Sequence, residues 1–385
     1  MQEEKLLFSN CTIVNEELFF VETQHGLPAK INPGNGEVSY CGVMENFILK
    51  AGDSLYDIRT IGNRIYALEI SGGNVICFDL ENLRCQYIPL NCSYRRWGNF
   101  VGFEYYDSCI YIFPRYENKV CIMNVNTNEM AEIVGYFEGI EDLQCSCRVG
   151  DEVWLIPNAV NVIGCYNLSN GKIEVYKLNK KIENGIYAVY IKGSIYILNS
   201  FGIIYIWNIH DMELSETTVL ETEHLNEKSM SRMVYAGNKL IILPSLAEDI
   251  KILDLLTGRA EVYHDYPEDF FYYDIEGWSK YYGLCEDDNF YYFAMRKENY
   301  LLKICKQDGR LLWVKPHIPA PGDRKKVQDP LRKIKLKRLF ELGERFFLEA
   351  EADMEDFLEK VQQGEYVIEE TNIGEGIFKK IKDME

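Results

Sequence analysis

Seven short hydrophobic runs recur along the chain in one register: Leu18-Phe19-Phe20, Ile65-Tyr66-Ala67, Ile110-Tyr111-Ile112, Val153-Trp154-Leu155, Ile195-Tyr196-Ile197, Leu240-Ile241-Ile242 and Phe290-Tyr291-Tyr292. Their first positions lie 47, 45, 43, 42, 45 and 50 residues apart. Turn formers precede several of them, as in Gly62-Asn63, Gly150-Asp151, Gly237-Asn238 and Asp287-Asp288-Asn289, which predicts a tight turn entering a strand. A second strand is expected about ten residues after each run, ending on a short polar side chain that can bond the turn behind it. Examples are Cys77-Phe78-Asp79, Ile122-Met123-Asn124, Cys165-Tyr166-Asn167, Ile206-Trp207-Asn208 and Ile252-Leu253-Asp254. The first unit offers Lys30-Ile31-Asn32 and the last Ile304-Cys305-Lys306. A further short strand follows at 173–176, 260–263 and 311–314. Each unit therefore reads as strand, turn, strand, loop, strand, turn, strand. A period in the forties with four strands predicts an all-β fold, a seven-bladed β-propeller over residues 1–318. A single blade has two faces to bury, and only its neighbours can cover them.

The turns Asp254-Leu255-Leu256-Thr257-Gly258-Arg259 and Lys306-Gln307-Asp308-Gly309-Arg310-Leu311-Leu312-Trp313 resemble the repeats of PQQ/YVTN-type propellers. The resemblance covers about residues 5–316 as architecture, with these two turns close in sequence. The double glycine of kelch repeats and the Gly-His and Trp-Asp pairs of WD40 repeats are not kept. It implies a fold and carries no activity. No position matches a quinone site, so no cofactor is expected. Ring closure stays open: Lys5–Phe8 either extends the first blade or pairs with the last.

After Pro319-Ala320-Pro321-Gly322 the pattern changes, and the cluster reads as a boundary. Residues 330–348 and 350–363 carry apolar positions at near-helical spacing, so 319–385 is expected to be a linker and a short α-helical tail. The tail either packs on the ring or docks a partner.

Charge narrows the partners. The formal net charge is −19, which argues against nucleic acid and anionic membranes. The one basic cluster, Arg332 to Arg338, more naturally meets the chain's own carboxylates. Acids in the first residues and the lack of a long apolar run give the expectation of a cytoplasmic protein. The twelve cysteines are scattered and read as small buried hydrophobes. Cys145-x-Cys147 lacks further ligands at zinc spacing, so no metal is expected.

Strand direction places the loops between second and third strands on the same face as the loops joining blades. That face carries Pro114, Pro157 and Pro244, each four residues after its run, where proline ends a strand. It also carries Arg115-Tyr116, the segment Arg95-Arg96-Trp97, and the aromatic stretch of His264, Tyr272, Tyr273 and Trp278. Aromatic rings beside arginine suit a recognition surface; the competing reading is that the rings of 263–282 fill the seam between blades six and seven. The five histidines are far apart, and no G-x-S-x-G, H-E-x-x-H or phosphate loop is present. The sequence therefore points to a non-catalytic binding module or scaffold for a protein, peptide or glycan-like ligand on the inter-blade loop face. The alternatives are an enzyme acting on a sugar or small acid in the central channel, and a structural subunit of an assembly.

Overall fold

A computed structural model describes residues 8–22, 26–44, 46–47, 55–69, 73–90, 100–135, 142–218, 230–245, 249–270, 281–295 and 300–317, with 326, 329 and 330. The chain divides into two units, Met1–Leu331 and Arg332–Glu385. The second unit, and with it the expected tail helices, lies outside the described residues.

The first unit is a seven-bladed β-propeller. Its seven sheets are each made of four strands consecutive in the chain, all antiparallel. The innermost strands are Phe8–Val14, Leu55–Ile61, Phe100–Tyr106, Leu143–Val149, Gly185–Ile191, Met230–Ala236 and Tyr281–Glu286. Every recurrent hydrophobic run falls in the second strand of its blade. The polar residue closing the third strand acts as the sequence predicts. Oδ1 of Asn32, Asp79, Asn124, Asn167, Asn208 and Asp254 each accepts backbone N–H groups two and three residues on. Pro114, Pro157 and Pro244 are the last residues of their strands.

Alternation explains the ring. Successive side chains of a strand point to opposite faces, so each second strand feeds two different seams. Ile65 and Ala67 pack with Phe19 and Val21 of the first blade. Tyr66 and Leu68 pack with Phe103 and Ile110 of the third. Seven apolar clusters result, each joining two neighbouring blades. Trp154 and Trp207 fill the seam of blades four and five, where Cys145, Cys147 and Cys165 are also buried. Burial pushes the Cys147 and Cys165 thiols up to about 12, as expected of inert packing residues.

The seventh cluster closes the circle, and among the described residues no strand is exchanged between blades; Lys5–Leu7 lie outside the described residues. Cys11, Leu18 and Phe20 of blade one meet Tyr292, Ala294 and Leu301 of blade seven. The Cys11 and Cys285 sulfurs lie 3.3 Å apart on the two inner strands. A methyl group added at Gly283 would sit 3.1 Å from the Asn10 Cα, so the inner strands approach closely there. At the rim, the chain leaving blade seven runs beside blade one. A parallel bridge joins Glu37 and His317, with His317 N–H donating to Gly36 O (2.6 Å) and Val38 N–H to His317 O (3.3 Å).

Candidate functional site

The inner strands surround the axis, and what they carry decides whether the middle of the ring is a packed core or a site. In all seven blades the pairing between inner and second strand slips near the inner strand's N-terminal end. A bulge of this kind re-aims the side chains beside it. The pairing resumes at Asp57, Gly102, Cys145, Tyr187, Arg232 and Gly283 in blades two to seven. These N-terminal ends lie on the inter-blade loop face, because Phe100, Leu143 and Met230 pair with the strand-closing prolines.

Charged groups meet on this axis in successive layers. Asp57, Tyr187 and Arg232 form the layer nearest the loop face, with the Arg232 guanidinium 5.3 Å from the centre of the Tyr187 ring. Two residues deeper, Arg59 of blade two reaches Glu104 of blade three at 3.3 Å. Arg148 of blade four approaches the other oxygen of Glu104 at 3.6 Å and donates to Tyr105 O and Gly150 O. Glu286 of blade seven lies at the far end, paired with Lys306. Glu104 retains 10% of its side-chain exposure, whereas Arg59 retains 40%. Arg59 sits on an innermost strand, and its Nε is sealed, with no hydrogen-bond partner among the described residues.

The electrostatics tie opposite blades together. Burial raises the pKa of Asp57; Arg59 opposes this, Glu104 adds to it, and the Ile58 N–H and Arg232 of blade six oppose it. Burial would lower Arg59, but Glu104, Asp57, Tyr187 and Glu286 outweigh it and raise the guanidinium. Burial also pushes the Tyr187 phenol up, with Arg232 opposing. These groups stand on the inner strands of blades two, three, five, six and seven, and their charges act on one another.

Asp57 yields a pH-dependent expectation. The folded chain holds its proton more tightly than the unfolded chain, so ionised Asp57 costs stability. That cost is absent below the ordinary carboxylate range, grows as pH rises through it, and is complete above the raised folded value. Asp57→Asn is therefore expected to raise Tm at pH 7 and to change little in strong acid. A Tm lowered at pH 7 would show that the carboxylate is a net stabiliser.

The residues singled out from sequence fare differently. Arg115 is held by Asp142, Nε to Oδ1 at 3.1 Å, and lies over the Tyr116 ring at 5.2 Å. Asp142 also accepts from Gln144 and Asn158, so Arg115 is committed to a loop network. His264 is exposed. Arg95, Arg96, Trp97, Tyr272, Tyr273 and Trp278 lie outside the described residues. The described rings of the 263–282 stretch fill the seam of blades six and seven. Tyr266 stacks on Phe270 at 4.9 Å, and Phe270 lies 4.8 Å from Trp313. Trp313 Nε1 donates to the Tyr263 hydroxyl. Among the described residues, no three His, Cys, Asp or Glu side chains come together as a metal would need.

No family model and no curated protein matches the chain. Solved structures do. A virginiamycin B lyase from Staphylococcus aureus, catalytically inactive and with quinupristin, is 15% identical with a TM-score of 0.57, covering 77% of this chain and 95% of that one. PorZ, a surface component of the type-IX secretion system of Porphyromonas gingivalis, is 12% identical with a TM-score of 0.54 over 82% of this chain. This chain spans only 38% of PorZ. The WD40 repeats of RRP9 are 9% identical with a TM-score of 0.53, covering 77% and 89%. These likenesses agree with the fold described above, a seven-bladed β-propeller. At such identities they speak to the fold alone.

Proposed function

We propose that the protein is a binding module whose ligand enters the axial channel from the inter-blade loop face. The observation that carries this reading is that inner strands of four blades bring Arg59 to Glu104 at 3.3 Å and Arg232 to the Tyr187 ring at 5.3 Å, with Asp57 on the same strand as Arg59. Blade packing does not need them, because the seven seams are apolar. Gathering ionisable groups away from bulk water costs folding free energy, and a polar ligand offsets that cost. The ligand is a small molecule or a projecting group of a protein, peptide or glycan. Tyr116 and His264 are the described rim contacts of this proposal; Arg95, Arg96, Trp97, Tyr272, Tyr273, Trp278 and the tail, which lie outside the described residues, are further contacts proposed from the sequence.

Affinity capture and thermal-shift screening on the full chain test this, using the axial variant Arg59→Gln/Arg232→Gln beside the rim variant Tyr116→Ala/His264→Ala. The proposal expects capture to fall at least tenfold in the axial variant, the loss of charge-assisted hydrogen bonds, and less in the rim variant. Unchanged capture by the axial variant would overturn it. A second reading, an enzyme acting on a sugar or small acid, draws support from Asp57, a carboxyl held above its ordinary range beside a tyrosine and an arginine. Under that reading Asp57→Asn binds the ligand and fails to turn it over.

A further inference from the structure

The three axial arginines are not equivalent. Arg59 pairs with Glu104 at 3.3 Å. Arg148 approaches the same carboxylate at 3.6 Å and spends further donors on Tyr105 O and Gly150 O. Arg232 has no carboxylate within ion-pair distance among the described residues. One of its five N–H groups donates to Ser231 O at 3.2 Å. Its guanidinium instead lies over the Tyr187 ring, 5.3 Å from its centre, and its remaining N–H groups make no hydrogen bond among the described residues. The Tyr187 hydroxyl makes no hydrogen bond among the described residues. Asp57 stands across the axis, with one oxygen engaged by the Ile58 N–H at 2.8 Å.

We infer that this layer binds a ligand through a single carboxylate, received by the Arg232 fork and the Tyr187 hydroxyl, with a hydrogen-bond donor at the ligand's other end facing Asp57. The inference rests on the channel reading above and adds the chemistry of the ligand. A planar carboxylate matches the guanidinium fork in shape and charge. Burial keeps the Tyr187 proton in place, so the phenol is a donor at neutral pH. The layer itself holds one positive charge, Arg232, and Asp57 across the axis repels a second negative one on the ligand. A phosphate or dicarboxylate dianion is therefore a poorer fit than a hydroxy acid, an amino acid or the C-terminus of a peptide.

Calorimetric titration of the full chain with lactate, serine and the peptide Gly-Gly-Ser, each beside its amide, tests the inference. At least one acid is expected to bind at least tenfold more tightly than its amide. Arg232→Gln should weaken it at least tenfold, Arg232→Lys less, and Tyr187→Phe about threefold to tenfold, the range for losing a charge-assisted or a single hydrogen bond. Lactate or serine binding alone identifies a free metabolite as the source; peptide binding alone identifies a partner's chain end. Equal affinity for acid and amide, or an unchanged affinity in Arg232→Gln, overturns the inference. Should a neutral sugar or a cationic peptide bind instead, lost in Arg59→Gln and kept in Arg232→Gln, the channel reading survives and the carboxylate falls. If no probe of any charge binds, both fall.

Discussion

Glutamine in place of Glu104 is expected to destabilise the ring by about 2–3 kcal/mol, measured by urea unfolding at pH 7. The carboxylate receives guanidinium groups from the blades on either side of it, Arg59 at 3.3 Å and Arg148 at 3.6 Å. Removing one member of a buried ionic group typically costs ~3–5 kcal/mol, because the partner charge stays desolvated. The two arginines keep 40% and 33% of their side-chain exposure, so water repays part of that loss and the expected value is lower. Arg59→Gln should cost less, since Glu104 then retains Arg148. Equal stability of Glu104→Gln and the native chain would mean that the axial charges are solvated independently.

A comparable loss, about 2–4 kcal/mol, is expected from Gly36→Ala at the rim. Gly36 has a φ of 79°, where a side chain is strained. An alanine Cβ would lie 2.1 Å from Lys315 O, a backbone atom that moves only if the chain leaving blade seven detaches. Detachment sacrifices the two hydrogen bonds through His317, each worth about 1 kcal/mol. Because no strand is exchanged between blades among the described residues, this bridge and the apolar seam of blades seven and one resist its opening. Hydrogen exchange should therefore accelerate first in blades one and seven. Uniform exchange with full stability would contradict this account of closure.

The second and third strands were legible because each combines a buried apolar run with a local turn signal, and Asp79 or Asn167 then bonds its own turn as its neighbours in sequence imply. The proline positions were readable for the same local reason. The axial site was not. Its residues lie on inner strands, and their convergence depends on the ring, which brings together positions as distant in sequence as Asp57 and Arg232. The bulges that aim them have no composition of their own. A signal did exist: Asp57, Tyr187 and Arg232 each stand eight residues before their recurrent run, at Ile65, Ile195 and Leu240. Charged or phenolic groups repeated at one register of otherwise apolar strands mark a shared layer. The aromatic stretch after blade six drew notice by composition, yet its described rings serve the seam with Trp313. Aromatic abundance by itself does not separate a surface from a core.

The most direct test of the channel is an NMR titration of protein carrying 15N-labelled arginine, following each Nε–Hε signal as a captured ligand is added. Shifts at Arg59 and Arg232, with Arg115 unmoved in its pair with Asp142, are the predicted result. Shifts confined to Arg95, Arg96 and Arg115, with the axial arginines silent, would place recognition on the outer loops and contradict the account.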